Sequence, residues 1–573
     1  MPRRGLRQRL EARANAIPQR DLPAQIVGHG EDSVLVQRVL ELWAWGTVSA
    51  TTVQYLMEGA VMDGSRHPRA VALAAIGCKG RWPQNCQRDI SRQFVDKTVL
   101  PPRYSFKVRA YDAKQDGDAK HIEVDASVLL PHRLFSSIAA AFPNMLASWT
   151  NNWGLEDFWS KALATNDPQL QDHPMRRKPN WERRAIPFLI YGDAAAFSRK
   201  DSIEVVSMGS MLSRLSTWST KYVLATFVKS AEDAHTWDEI WAVLAWSLNV
   251  LFEGTHPYTD HKGDEWPEGS YERKVQGQHL VDGGFFGVIY RLGGDLDWYA
   301  KRLQMRLAPS ANLPCCFCDS GRPPRHPPFL DLRLAAEWVR TIKIHPAPRP
   351  SPHPLWGVPG VTLFSATVDA MHSGDLGIVA HFIGSAFWTM LYEGHLVGTI
   401  TEKEEQLWDK IKTIYDRLGT RVRLTNFGRW LFTNATRPHQ QFPVLSAKAS
   451  ECRHLVPVVV NLCSDFNSGS PNDEARLEAA VHLARYYDVL RTAGFFLTDV
   501  EHTRAVDSLF RFMDRYQRLA AEAASRGALC WNVVNKHHLM CHQALEAKYL
   551  NPECTWTFPY EDLMGRMKRV GMA

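Results

Sequence analysis

The sequence predicts an α/β protein, in which a mixed β-sheet is interrupted by a long helical insertion and preceded by a mainly helical N-terminal region. Three apolar runs rich in Ile, Val, Phe and Tyr lie within residues 185–228 and are typical of β-strands. Their short connections favour a meander. A helix-like run at residues 237–252 then leads to a fourth strand-like run, FFGVIYRLGGD. Such a crossover predicts that the fourth strand is parallel to one of the first three.

Two of the predicted strands end in an acidic residue. Asp193 closes the first strand and Asp295 closes the last, and glycines directly precede both. Carboxylates on neighbouring strand ends can hold divalent cations through hard oxygen ligands. This layout is that of a ribonuclease-H-like sheet, whose commonest chemistry is nucleotidyl transfer. The alternative is that each Asp serves only a turn.

The composition is that of a folded chain with a large core. The chain has 573 residues, of which 45% are hydrophobic and 22% charged. The net charge of +6 is compatible with a polyanionic partner. No run of 18 or more apolar residues is present, so we expect no membrane-spanning helix. Ten cysteines are too few for a disulfide scaffold in a chain of this length and suit a reducing compartment.

Two cysteines and two histidines form a candidate ligand set for one structural zinc ion. Cys315 and Cys318 have the C-x-x-C spacing that lets two thiolates share a tetrahedral metal. Far downstream, in VNKHHLMCHQAL, His537 or His538 pairs with His542 on one face of a helix-like run. Either pair alone is more often a core or surface feature, but together they predict a zinc site.

Two further acids stand at predicted helix starts. Asp369 and His372 have D-x-x-H spacing before an apolar helix, where Asp369 suits an N-cap and the pair is also a candidate support for the metal site. Glu561 begins a short basic helix near the end of the sequence. An acid there stabilises the helix dipole, and it is also a candidate third metal ligand.

In this order, the motifs resemble those of DDE transposases of the CACTA (En/Spm) and Plavaka type. The likeness extends more distantly to the Transib transposases and the catalytic subunit of the V(D)J recombinase. Those families have two strand-end Asp residues, a C-x-x-C, a D-x-[ML]-H segment, a long helical insertion, a His pair and a last Glu. The chain carries the same series through PCCFCD, VDAMH, HHLMCH and WTFPYED. It is also similar to transposon-like repeat proteins of dinoflagellates.

The resemblance implies a function, a set of sites and a set of partners. It implies that Asp193, Asp295 and Glu561 bind two Mg²⁺ or Mn²⁺ ions for in-line displacement at phosphorus. It also implies a structural Zn²⁺ that ties the insertion to the catalytic sheet, with these ligands: Cys315, Cys318, His537 and His542. The implied partner is DNA, as transposon ends and target. A homodimer and a nuclear location are further expectations, and no membrane partner is expected.

The resemblance also implies four segments. The first, residues 1–180, is mainly helical, with a candidate small β unit and a basic linker. The first part of the catalytic domain spans 181–310, the zinc-linked helical insertion spans 311–535, and a C-terminal catalytic helix segment spans 536–573.

Several alternatives stay open at this point. Three of the implied ligands have a neighbour of the same kind, and the alternates are Asp297, Cys316 and His538. Two other functions also fit the sequence. One is a decayed, catalytically inactive DNA-binding or scaffold protein of transposon origin, and the other is a nuclease of the same fold without strand transfer.

Overall fold

The chain forms two compact units in a computed structural model, Met1–Val99 and Leu100–Ala573. Residues 100–180, which we grouped with the N-terminal region, therefore belong to the second unit. The boundaries at residues 310 and 535 stay predictions. The structure describes residues 33–44, 48–95, 103–112, 121–152, 154–198, 201–214, 217–305, 314–322, 327–343 and 353–572.

The first unit is helical in its described residues. Val53, Met57 and Leu73 are fully buried in its small core. The side chain of Ser49 accepts a hydrogen bond from the Thr52 N–H and so caps the second helix. The helices are α1 (Val34–Ala44), α2 (Ala50–Met62), α3 (Pro68–Lys79) and α4 (Cys86–Ile90).

The second unit contains a two-stranded antiparallel sheet and a four-stranded mixed sheet. The two-stranded sheet corresponds to the small β unit predicted from the sequence. The order in the larger sheet is β5-β4-β3-β6, with β3, β4 and β5 antiparallel and β6 parallel to β3. The predicted meander with a parallel fourth strand is therefore confirmed. The strands are β1 (Tyr104–Tyr111), β2 (His121–Val128), β3 (Ala185–Ala196), β4 (Ser202–Ser210), β5 (Lys221–Val228) and β6 (Phe286–Gly294).

The parallel pair β3 and β6 of the mixed sheet is covered on both faces. Every residue of β6 and the first eight residues of β3 are buried, as is typical of a strand pair flanked by helices. The crossover helix α11 packs on β6 and buries Trp241 and Leu244. The helices up to the end of this sheet are α5 (Pro131–Ala141), α6 (Pro143–Trp149), α7 (Leu155–Ala164), α8 (Pro168–Gln171), α9 (Trp181–Arg184), α10 (Thr217–Thr220), α11 (Thr236–Glu253), α12 (Tyr271–Val275) and α13 (Leu296–Lys301).

After β6, the described residues contain no further strand, and α-helices are the main regular elements. A π-helix, Met371–Val379, runs into α14, and together they form the apolar segment Met371–Tyr392. By length and composition this segment could cross a membrane, but 89% of its apolar window is buried inside the protein, as in a core helix. The sequence predicts no membrane-spanning helix, because polar residues divide this segment into apolar runs shorter than 18 residues. The remaining helices are α14 (Ala380–Tyr392), α15 (Ile400–Leu418), α16 (Ala449–Asp465), α17 (Pro471–Thr492), α18 (Asp499–Ser525), α19 (Asn535–Glu546) and α20 (Phe558–Met572).

Two buried histidines cap short 3₁₀ turns in the second unit. The Nδ1 atom of His173 accepts a hydrogen bond from the Met175 N–H at 3.2 Å, and the Nδ1 atom of His353 does the same for Leu355. Both side chains are buried. Burial lowers the pKa of each imidazole to about 4, because the charged form is poorly solvated there.

These histidines predict acid sensitivity of the fold. Between about pH 6.5 and pH 4 the unfolded chain binds more protons than the folded one, so the free energy of unfolding falls as the pH falls. The loss is about 2 kcal/mol for each histidine at about pH 5. In the double variant His173→Asn, His353→Asn, the amide oxygens can still cap but do not titrate. We expect its Tm to drop less than that of the wild type between about pH 7 and pH 5.

His454→Asn is the matched control, because this histidine is exposed on α16. Its variant should keep the wild-type difference in Tm. An equal acid-induced drop in the double variant and the wild type would show that these two caps do not cause the sensitivity.

Candidate functional site

Asp193 and Asp295 lie side by side at one edge of the mixed sheet, where the parallel pairing of β3 with β6 ends. The prediction that Asp193 closes its strand is wrong, because β3 continues past it and pairs with β4 beyond this point, whereas Asp295 directly follows β6. Gly192 of β3 pairs with Gly294 of β6, and Asp193 and Asp295 directly follow this pair. A side chain at either glycine would collide with the indole of Trp298, which packs across the strand ends. The two glycines therefore leave room for the Trp298 indole to pack over β3 and β6 beside the acids.

Glu561 reaches the same edge from the opposite end of the chain. The Tyr191 hydroxyl lies 3.0 Å from Asp193 Oδ2 and 3.0 Å from Glu561 Oε1, although Tyr191 and Glu561 are 370 residues apart in sequence. Tyr560 stacks on Tyr191 with ring centroids 4.6 Å apart. This stacking, together with the bridging hydroxyl, fixes the start of α20 against β3.

The grouping of acids is electrostatically unfavourable without a cation. The pKa of Asp193 is raised to about 8, first by burial and then by the charges of Glu561 and Asp295. Because Tyr191 has a single O–H, it can donate to only one of its two carboxylate neighbours at a time. The remaining negative charge favours a cation at this edge.

His372, at the start of the π-helix, lies next to Glu561, and Asp369, just before that helix, contacts His372. Asp369 is buried and accepts hydrogen bonds from the backbone N–H of His372 at 2.9 Å and from the Thr557 hydroxyl at 2.9 Å. Its predicted N-capping role is thus confirmed, and the Thr557 contact links it to the segment before α20. His372 lies between Asp369 and Glu561, with N···O distances of 2.6 and 3.8 Å. Burial lowers the pKa of His372, but the Asp369 hydrogen bond and the acidic charges outweigh burial and raise it to about 9.

The two candidates for the second acid are in different environments. Asp295 is the N-cap residue of α13, because its Oδ1 accepts a hydrogen bond from the Trp298 N–H at 2.6 Å. It therefore has the local backbone role that the alternative interpretation gave it. Its charge also raises the pKa of Asp193. Asp297 is mostly exposed and pairs with Lys301 at 2.7 Å, so it stays a surface residue. Among the described residues, the three carboxylates of Asp193, Asp295 and Glu561 do not bring their oxygens within 4.8 Å of one another.

A second cluster brings together two thiols and two imidazoles. Cys315 Sγ lies 3.5 Å from His542 Nε2, Cys318 Sγ lies 3.4 Å from His538 Nε2, and the two Nε2 atoms are 3.1 Å apart. All four side chains are buried, and their ligand atoms lie within 4.8 Å of one another. Trp338 covers both rings, at 4.4 and 4.9 Å between centroids.

These distances fit a tetrahedral zinc ion. Zn–S bonds of about 2.3 Å and Zn–N bonds of about 2.0–2.1 Å place neighbouring ligand atoms roughly 3.3–3.8 Å apart. Burial alone raises the pKa of a thiol, but hydrogen bonds from the other three ligands outweigh it and lower the pKa of Cys318. The backbone N–H of Phe317 also donates to Cys315 Sγ at 3.3 Å, which stabilises a thiolate.

The structure corrects the choice of histidine. His537 lies outside the cluster: its ring is 4.5 Å from that of Tyr516, and its Nδ1 accepts the Val534 N–H at 3.1 Å. His538 takes its place, because residues four apart share a helix face whereas residues five apart diverge. Cys316 is buried next to the cluster but is not part of the ligand group.

No protein-family model and no curated protein matches this chain. Its functional candidates among the described residues are the acidic edge, formed by Asp193, Asp295 and Glu561, and the Cys₂His₂ cluster. Sequence reasoning missed Tyr191 and Thr557. Tyr191 had a detectable signal, because it lies two residues before Asp193 and so faces the same side of β3. Thr557 had none, since only the fold brings it to Asp369.

The cluster predicts a sharp difference between adjacent histidines. His538→Gln removes a ligand, and we expect zinc affinity to fall by more than the roughly 10- to 100-fold that an outer-shell partner contributes. Purified His538→Gln protein should contain well under one zinc ion per chain by elemental mass spectrometry.

His537→Gln is the matched control. It should keep the wild-type zinc content and lose only the stability that its packing on Tyr516 provides. Equal zinc content in the two variants would contradict the assignment of His538.

Proposed function

We propose that this protein is a transposase-like DNA nucleotidyl transferase of the DDE type, with Asp193, Asp295 and Glu561 as its acidic triad. The observation that carries the proposal is the shared contact of Tyr191 with Asp193 and Glu561. Acids as far apart in the sequence as Asp193 and Glu561 have no packing reason to meet, because the repulsion between their charges opposes it. A site that recruits cations explains why they do.

The sheet order supports a ribonuclease-H-like fold for this domain. Three antiparallel strands, a helical crossover and a fourth strand parallel to the first match the layout that the resemblance implies. The two acids then lie where the parallel pairing of β3 and β6 ends, on the side of the sheet toward which both strands run, and open α/β sheets bind their ligands on that side.

The acidic edge has the donor chemistry for two Mg²⁺ or Mn²⁺ ions. Its groups are carboxylate oxygens, the ligands that such hard cations prefer. Bound there, the ions would activate a water or a DNA 3′-hydroxyl and neutralise charge on the leaving oxygen. Tyr191 would hold its two carboxylates in place through its hydroxyl.

His372 and Asp369 are proposed as positioning residues. Asp369 orients His372 through the 2.6 Å contact and anchors Thr557, four residues before Glu561. The positive imidazole of His372 then steadies the Glu561 carboxylate at the edge.

The proposed Zn²⁺ joins distant parts of the same domain. Cys315 and Cys318 follow the chain that leaves β6 and α13, while His538 and His542 lie on α19, shortly before the Glu561 helix. A zinc ion there would hold the segment after α13 next to α19, and so help to fix the position of α20, which carries Glu561. DNA as substrate, a nuclear location and a homodimer are part of the same proposal.

Substitution of single acids tests the triad. We expect Asp193→Asn and Glu561→Gln to lower Mg²⁺- or Mn²⁺-dependent nicking of supercoiled DNA by roughly a thousandfold or more, because a metal ligand is lost. Asp297→Asn is the control: this acid is exposed and paired with Lys301, so activity should be unchanged.

The same assay separates the alternatives. Joining of the cut ends to a target duplex favours a transposase, and cutting without joining favours a nuclease. If the wild-type protein binds metal and DNA but neither cuts nor joins DNA, the proposal is wrong and the inactive DNA-binding or scaffold function takes its place.

A further inference from the structure

A small cleft opens beside the acidic edge, next to the helix that carries Glu561. Its volume is about 120 Å³, several times the volume of one water molecule in the liquid (~30 Å³). Strands β3 to β5 provide one wall and the segment before α20 provides the other. The residues that line it include Arg214, Lys221, Phe495, Glu553, Trp556 and Tyr560.

Lys221 extends into this cleft without a counter-ion. Its aliphatic stem passes over Gly209, where any side chain would block it. Its Nζ lies 4.6 Å from the centroid of the Tyr560 ring, and no carboxylate of the described residues forms an ion pair with it. Burial lowers the pKa of Lys221 to about 8, and no nearby charge counters that shift. A partly buried ammonium group with no anion is costly, so the site favours an anionic ligand.

The other charges around the cleft leave it positive. The Arg214 guanidinium is exposed, lies 4.3 Å from the Phe495 ring centroid, and has no ion pair with a described carboxylate. Glu553 also lines the cleft, but Arg453 forms an ion pair with its carboxylate. Two cations therefore face a space in which the one carboxylate is already neutralised.

The cleft is joined to the acids by a short aromatic stack. Lys221 lies on Tyr560, Tyr560 stacks on Tyr191, and the Tyr191 hydroxyl contacts Asp193 and Glu561. Phosphates of one DNA strand follow one another at about 3.4 Å along the helix axis. Lys221 and Tyr191 are separated by two contacts with the Tyr560 ring, of 4.6 Å each, so a strand that crosses the stack can present one phosphate to the acids and another, one or more nucleotides away, to the cleft.

We propose that this cleft binds a backbone phosphate of the same DNA strand that places another of its phosphates at the acidic edge, with Lys221 and Arg214 as its ligands. The inference rests on the proposed function and adds the path of the strand across the protein. Phosphate contacts of this kind position DNA without reading its sequence.

The test measures how DNA binding depends on salt. A mixed-sequence duplex about three helical turns long is titrated with full-length Asp193→Asn protein, which does not cut it, over a series of salt concentrations. In this background, Lys221→Met keeps the packing on Tyr560 but removes the charge. We expect it to weaken binding about tenfold and to reduce the slope of log K against log salt by about 0.9. Arg214→Gln should do the same, and Lys221→Arg should restore binding.

Lys229→Met is the matched control, because this exposed lysine follows the far end of β5. It should leave the salt slope unchanged. If both cleft variants fold, by thermal unfolding, and keep the parental slope while the parent binds DNA, the cleft inference is wrong and the proposed function stands. If the parent binds no DNA at all, the proposed function fails as well.

Discussion

Repulsion between carboxylates held at one edge of a sheet is the constraint on which this structure depends. Burial and the nearby charges of Glu561 and Asp295 raise the pKa of Asp193, so the ionised cluster is destabilised in the absence of positive charge. The protein supplies only part of the compensation, through the Tyr191 hydroxyl and the His372 imidazole. A fold that holds such a group together must gain something from it, and cation binding is the gain that the chemistry offers.

Several contacts elsewhere in the second unit help to position Glu561 at this edge. Asp369 holds the Thr557 segment, Tyr560 stacks on Tyr191, and the Cys₂His₂ cluster fixes α19 to the loop region after β6. These contacts come from separate elements, yet each acts on the short segment that carries Glu561. The Cys₂His₂ cluster and the acidic edge are thus linked through the segment from α19 to α20, although they are distinct sites.

The sequence predicted those features that have a local signal. The apolar runs and the helical crossover predicted the meander and a parallel fourth strand, but not that this strand pairs with β3. Cys315, Cys318 and His542 were identified by spacing. His537 was the wrong choice because both four- and five-residue spacings were accepted, and only the four-residue spacing keeps two rings on one helix face. Thr557 and Lys221 had no local signal, since their roles arise from contacts between distant segments. Residues 100–180 were grouped with the N-terminal region, but they fall in the second compact unit, and no local signal in the sequence marks that grouping.

The central claim is that Asp193, Asp295 and Glu561 together recruit divalent cations, and crystals soaked in Mn²⁺ test it most directly. Anomalous scattering near the manganese edge should give two peaks at the acidic edge, about 4 Å apart, with carboxylate oxygens of all three residues in contact. Those peaks should vanish in Asp193→Asn crystals, while the signal of zinc at the Cys₂His₂ cluster persists. A map with zinc at the cluster but no manganese at the acids of the wild-type protein would contradict the account.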